Sequence, residues 1–224
     1  VLFLIAAFVV GAIYAGGDAE AATAAPAAAV KDVVVLGSST QVNGDFFDGW
    51  TNSATNAYLK QLMTGYETVV WTKEGRYVIN PVAIPSYDVV TNADGSKTYT
   101  FEIATNLTYN DGSPIKAQDY VFSILYAASP EAVALGANYG TGPEYVGYDD
   151  FHDGLTKTFS GIRLLGDYSF SITIKASELP YFFDLSLVSV GPIPMHVLAP
   201  GVAITDTGKG ATLSAAFTVD LLRK

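Results

Sequence analysis

Tyr99-Thr-Phe-Glu-Ile103, followed by Leu107-Thr-Tyr-Asn-Asp-Gly-Ser-Pro-Ile-Lys-Ala-Gln-Asp-Tyr-Val-Phe-Ser123 and the residues up to Ser129-Pro130, decides the fold. Tyr99, Phe101 and Ile103 alternate with Thr100 and Glu102, the period of a half-buried strand. Asn110-Asp-Gly112 signals a turn. From Ala117 the spacing becomes helical, with Tyr120, Val121, Ile124 and Leu125 on one face of a helix running to about Ala127. Asp119 falls in its first turn, where a carboxylate suits the helix dipole. Ser129-Pro130 ends the element.

The flanking segments continue the alternation of strands and helices. Tyr87-Asp-Val-Val90 joins Tyr99–Ile103 across Asn92-Ala-Asp-Gly95, a hairpin signal. Thr68-Val-Val-Trp71 and Tyr77-Val-Ile79 predict another around Lys73-Glu-Gly-Arg76. A helix is expected from Ser53 to Thr64, with Ala54, Ala57, Tyr58 and Leu62 on one face and Gly65 as its stop. Thr51, Asn52 and Ser53 are candidate N-caps. Asp32-Val-Val-Val-Leu36 reads as a buried strand. Downstream, Gly136 to Asp153 is rich in Gly, Tyr and Asp and reads as loop. Phe159–Leu165 and Tyr168–Ile174 form a strand pair around Gly166-Asp167, with Phe170, Ile172 and Ile174 on one face and Ser169, Ser171 and Thr173 on the other. Pro180 introduces Tyr181–Val188; Pro192, Pro194 and Pro200 mark a stiff connection, and no clear element follows up to Lys224.

Composition narrows the class. Among 224 residues, 50% are hydrophobic and 15% charged, too apolar for a disordered chain. The net charge of −10, with Lys and Arg scattered singly, gives no basic face for nucleic acid. The absence of cysteine excludes disulfides, thiolate metal sites and a cysteine nucleophile. Val1 to Tyr14 is continuously apolar, shorter than the roughly 20 residues of a spanning helix. It reads as the core of a signal peptide or as an N-terminal anchor. Ala19-Glu20-Ala21 and Ala22-Thr23-Ala24 are candidate cleavage sites within the Ala-rich tether that follows.

The composite from Asp94 to Ser123 resembles the signature of the bacterial extracellular solute-binding proteins of family five, the oligopeptide and dipeptide type. Asp111, Gly112, Pro114, Ala117, Asp119, Val121 and Ser123 match its strand, Asp-Gly turn, Pro-led helix start and apolar helix in register. Gly44–Phe47, Leu62–Tyr66, Phe159–Lys175 and Tyr181–Pro200 resemble further segments, so the likeness covers about Val33 to Pro200. The basic residue often found after the strand is absent near Ala104, and Lys116 replaces the usual helix-cap Thr.

The resemblance implies an α/β fold with mixed sheets, one lobe of a periplasmic-binding-protein-like clamp whose second lobe is absent from this chain. It implies residues 1–30 as signal peptide or anchor plus tether, 31–65 and 179–224 as a discontinuous first domain, and 66–178 as a smaller second domain. The implied function is capture of oligopeptides outside the cytoplasm and delivery to an ABC permease with its ATPase. Neither cofactor nor covalent chemistry is expected, and membrane contact is expected only through the N-terminal segment or the permease. A ligand-binding sensor for a membrane signalling partner, a secreted hydrolase, and binding of a nickel complex or sugar are the rival readings.

Ser38, Ser39 and Thr40 are expected to touch ligand, because they follow the first strand where the family's cleft lies. Asn138 and Tyr139 are further candidates; Tyr139 offers apolar area and a hydroxyl, yet equally reads as a surface-loop tyrosine. Asp111 and Asp119 read as a turn and a helix start rather than an acid–base pair. His152, within Asp149-Asp-Phe-His-Asp-Gly154, reads as a solvated turn, and His196 as packed near the Pro-rich return. No Gly-x-Ser-x-Gly elbow occurs.

Overall fold

The computed structural model describes residues 37–38, 40–44, 46, 50, 53–140 and 142–223. The segment 1–36, including the apolar start, the tether and the expected strand at Asp32–Leu36, lies outside the described residues. Residues from Ser38 onward form one compact unit. Its order is α1 (Ala54–Met63), β1 (Val69–Trp71), β2 (Tyr77–Ile79), β3 (Ser86–Thr91), β4 (Lys97–Glu102), α2 (Ala117–Ala128) and α3 (Pro130–Ala134). Then follow α4 (Tyr148–His152), β5 (Thr158–Phe159), β6 (Ile162–Gly166), β7 (Ser169–Ile174), α5 (Met195–Leu198), β8 (Ile204–Asp206), β9 (Ala211–Leu213) and α6 (Val219–Leu222). No described helix is long and apolar enough to cross a membrane.

The strands build a β1–β2 hairpin, a four-stranded sheet ordered β3-β4-β7-β6 and a three-stranded sheet ordered β5-β9-β8. Both expected hairpins form, with Val69 opposite Ile79 and Val89 opposite Tyr99. Register places Phe101 opposite Phe170 and Tyr99 opposite Ile172, so large side chains stack across one face of the sheet. Helix α2 packs on that face. Tyr120, Val121, Ile124 and Leu125 join the sheet core, whereas Phe122 and Tyr126 enter a second cluster with Met195 and Phe217. A helix with apolar residues on two faces has to be largely enclosed, and nine of the twelve residues of α2 are buried.

Four expectations change. The Gly136–Asp153 stretch contains α4, whose Tyr148 and Phe151 are buried against Phe159. Phe159 lies in β5, in a different sheet from β6, because the chain breaks at Ser160-Gly161 to pass Val146. There Gly161 donates to the Val146 carbonyl at 2.8 Å, and a Cβ on Gly161 would lie 2.4 Å from that oxygen. The C-terminal stretch is structured, with β8, β9 and α6 in place of an undefined tail. Helix α1 forms with Ser53 as N-cap, but Tyr58 and Leu62 are 68% and 78% exposed and its one buried residue is Asn56. Asn56 is drawn inward by its side-chain hydrogen bond to Asn43, so the polar side of this helix, not the apolar one, meets the described protein.

Asp206 joins the two larger sheets. Its carboxylate, 3% exposed, accepts from Arg163 Nε at 2.7 Å, from the Leu164 amide at 3.0 Å and from the Gly208 amide at 2.8 Å. Burial pushes its pKa up, but the bonds from Arg163, Gly208 and Leu164 outweigh burial and hold it below the usual carboxylate range. A folded pKa below the unfolded value of about 3.9 contributes stability above that pH, lost as pH falls through it. Asp206→Asn is therefore expected to cost about 2 kcal/mol at pH 7. Urea unfolding between about pH 5 and pH 2 should then show a flatter acid loss of stability than in the parent protein.

Candidate functional site

A cleft of about 400 Å³ opens between the C-terminal end of α1, one face of α2 and the Pro-rich return. It is lined by Ser123, Ile124 and Ala127 of α2, by Lys60 and Glu67, and by Gly191 to Pro194. The lining holds its place because two extended segments pair across the molecule. The Thr68 amide donates to the Val190 carbonyl at 2.9 Å, and the Val190 amide donates back to Thr68 Oγ1 at 2.9 Å. Asn80 braces the same segment by donating to the Glu67 carbonyl at 2.9 Å.

Backbone conformation marks the cleft edge. Tyr66 is the one described non-glycine residue with positive φ, at 65°. Such a conformation is uncommon for a side-chain-bearing residue and persists where surrounding contacts enforce it. Here the buried Tyr120 hydroxyl donates to the Tyr66 carbonyl at 2.6 Å. In the paired segment, Gly191 and Pro192 make no backbone hydrogen bond among the described residues. Their carbonyls and the Gly191 amide are thus open to a ligand that presents peptide-like donors and acceptors.

Asp119 positions the return. Its carboxylate, buried at the start of α2, accepts from the Lys116 amide at 2.8 Å and from the Met195 amide at 3.3 Å, while its carbonyl accepts from Ile193 at 3.2 Å. Burial raises its pKa, and these bonds together with His196 and Lys116 oppose that rise. Lys116 supplies no hydroxyl for the cap and extends its ammonium to Asp167 at 2.8 Å.

The signature's other carboxylate also shapes backbone. Asp111 Oδ1 accepts from the Ser113 amide at 2.9 Å and from Ser113 Oγ at 2.6 Å, closing the turn at Gly112. His196 Nε2 meets Asp111 Oδ2 at 2.9 Å and Ser113 Oγ at 3.2 Å. Hydrogen bonds from Ser113 and His196 hold the Asp111 carboxyl well below the usual range. Serine, histidine and aspartate therefore meet, yet not as a proton relay. A relay uses the two imidazole nitrogens separately, whereas here serine and aspartate share one nitrogen and the hydroxyl proton goes to the aspartate. Among the described residues no group of acidic and histidine side chains is arranged to hold a metal.

The expected ligand residues fall in different places. Tyr139 lines the cleft, half-buried, with ring centroids 6.0 Å from Trp50 and 5.8 Å from Tyr126. Asn138 beside it is exposed. Ser38 and Thr40 are exposed and are not among the cleft-lining residues. Ser38 Oγ bonds the Thr40 backbone at 3.0 Å and meets Thr55 Oγ1 at 2.9 Å, which fastens the loop to the first turn of α1. Ser39 lies outside the described residues. Lys60, Glu67 and the Gly191–Pro194 wall escaped sequence reasoning; the Pro spacing alone hinted that the last is an extended, self-supporting segment.

A family model described as bacterial extracellular solute-binding proteins, family 5 Middle, matches residues 78–216. The periplasmic oligopeptide-binding protein OppA of Salmonella typhimurium is 32% identical over 100 residues, covering 44% of this chain and 18% of OppA. The probable deoxycholate-binding periplasmic protein YgiS of Escherichia coli is 24% identical over 157 residues, 69% of this chain and 28% of YgiS. A structure of Listeria monocytogenes OppA bound to peptide superposes with a TM-score of 0.52 at 18% identity, over 71% of this chain and 33% of that one. The likeness shows the fold, that of part of a periplasmic binding protein. The chain spans less than a third of the length of these two curated relatives.

Asp119→Ala leaves the buried Met195 and Lys116 amides without acceptors. It is expected to cost about 2–4 kcal/mol and to speed hydrogen exchange at Met195, while Asp119→Asn, which keeps an acceptor, should cost less. Urea unfolding and amide exchange measure both.

Proposed function

The chain belongs to the bacterial extracellular solute-binding proteins of family 5, and on that premise we propose that it forms part of the extracytoplasmic substrate-binding component of an ABC importer. The component captures oligopeptides in the periplasm or at the outer face of the cell membrane and delivers them to the permease with its ATPase. It binds without turnover. In this reading residues 31–65 and 179–224 belong to the discontinuous first domain, incomplete in this chain, and 66–178 to the family's smaller second domain.

The unbonded backbone of Gly191-Pro192, beside Glu67 in the cleft lining, carries this reading. An extended peptide can satisfy that backbone whatever its sequence, while Tyr139 offers apolar area to variable side chains. Ser38, Ser39, Thr40 and Asn138 contribute from the loops around this lobe in the same reading. A second reading, a steroid-like amphipathic solute, is favoured by the YgiS likeness over 69% of the chain.

A side chain at Gly191 would meet Glu67 Cγ at 3.5 Å, an ordinary contact, so the position tolerates one without backbone strain. Gly191→Trp is expected to keep the fold but weaken peptide binding at least about tenfold by occupying the cleft; isothermal titration against a tight-binding peptide reads this. Native mass spectrometry of protein made from its complete reading frame, offered a peptide pool and deoxycholate together, separates the readings. Retention of the bile acid without any peptide sinks the peptide assignment.

A further inference from the structure

Buried and half-buried carboxylates of this protein have donors. Asp119 accepts from the Lys116 and Met195 amides, Asp206 from Arg163 and two amides, and Asp184 from Lys97 and the Tyr99 hydroxyl. The half-buried Glu131 meets Lys157 at 3.4 Å, and the half-buried Glu144 accepts from the Gly142 amide at 3.1 Å. Glu67 departs from this pattern. It is half-buried in the cleft lining, yet among the described residues its carboxylate has neither a hydrogen bond nor an ion pair. Water in the open cleft can hydrate such a group. A ligand that settles beside it displaces that water, and the carboxylate then has to be met by a donor of the ligand or be left unpaired.

The backbone around Glu67 is fixed on both sides. Asn80 donates to the Glu67 carbonyl at 2.9 Å, the preceding carbonyl of Tyr66 accepts from Tyr120 at 2.6 Å, and the following residue, Thr68, pairs with Val190. The Glu67 Cγ would lie 3.5 Å from a Cβ on Gly191, so the carboxylate group belongs to the same part of the lining as the unbonded backbone. The serine and threonine side chains of the lining are committed elsewhere. Thr64, Ser123 and Ser189 donate to the carbonyls of Lys60, Tyr120 and Val69. Lys60, the other charged residue of the lining, has an interaction of its own and forms no ion pair with Glu67. A rigidly held, unmatched charge is the arrangement of a specificity determinant, since the ligand alone decides whether it is paired.

We propose that Glu67 selects ligands carrying an ammonium group, supplied by a peptide's amino terminus or by a lysine side chain, and receives that group beside the open backbone of Gly191-Pro192. The inference rests on the peptide reading of the cleft and adds a charge preference to it. Selection works largely by penalty. A cationic ligand replaces the water on the carboxylate with N–H donors of its own, whereas a neutral ligand removes that water and returns nothing.

Isothermal titration of protein made from its complete reading frame tests this. The probes are a tetra-alanine peptide, its N-acetylated form, its single lysine variants and their norleucine counterparts, which keep the apolar stem without the charge. The parent should bind at least one lysine peptide, or the free amino terminus, about fivefold to tenfold more tightly than the neutral counterpart. That ratio should shrink at high salt. A lysine preference identifies the side chain as the source of the ammonium, and a loss on acetylation identifies the terminus. Glu67→Gln keeps the size of the side chain and should bring the ratio to about one. Peptides bound by the parent without discrimination, or a ratio that survives in Glu67→Gln, sink the ammonium preference and leave the peptide reading intact. A ligand-free Glu67→Gln protein that melts several degrees lower marks Glu67 as a support of the fold and overturns the proposal as well. If the parent holds no peptide at all, the peptide reading fails, and the ammonium preference fails with it.

Discussion

Helix α2 is buried over most of its surface, and much of the structure is arranged to cover it. Nine of its twelve residues are buried, Tyr120 and Leu125 against the four-stranded sheet and Phe122 and Tyr126 against the second cluster. Such a helix is stable only when enclosed. Enclosure brings the sheet, the Pro-rich return and the C-terminal segment onto one element. Asp119 makes that assembly specific. A carboxylate buried in a helix start is costly unless its oxygens are used, and both are, one by the helix cap and one by Met195 of the return.

The cleft follows from this arrangement. Once the return is fastened at Ile193 and Met195, the two residues before it span open space above α2 with their backbone unpaired. The surrounding polar groups do structural work: Asp111 closes a turn, Asp206 bonds one sheet to another, and His196 shares a single nitrogen between its neighbours. The exposed rings of Tyr181 to Phe183 come from the same return segment a few residues earlier, where the chain leaves the core before Val188 rejoins it at Thr68. One stretch of chain thus supplies a cleft wall and an outward aromatic face.

Much of the fold was legible because it is local. Every described strand pairing is antiparallel. The pairs β1–β2, β3–β4, β6–β7 and β8–β9 join strands adjacent in the chain, so alternation and turn residues suffice to mark those formed up to β7. The helix from Ala117 was equally clear, since its periodicity spans a full twelve residues. The failures have physical causes. Strand β5 is two residues long and pairs with β9, more than fifty positions away, so no local pattern marks it. Helix α4 is a five-residue turn held by the stacking of Phe151 on Phe159, a tertiary contact. In α1 the apolar stripe was read correctly as helical spacing, but periodicity says only that a stripe exists, not what lies against it.

By itself, the sequence determined the longer helices and the hairpin strands up to β7, the order of the Asp-Gly turn and helix start that carries the family, and the use of Asp111 and Asp119 for turn and helix start. These are properties of neighbouring residues, written in turn chemistry and in the period of apolar side chains. The tertiary structure decided where the cleft lies and which side chains line it. Lys60, Glu67, Ser123, Tyr139 and Gly191 are spread over more than a hundred positions and meet only because α2 is buried and Asp119 ties the return to its first turn. No periodicity encodes that meeting, since it depends on how enclosed surfaces fit rather than on any one segment's pattern.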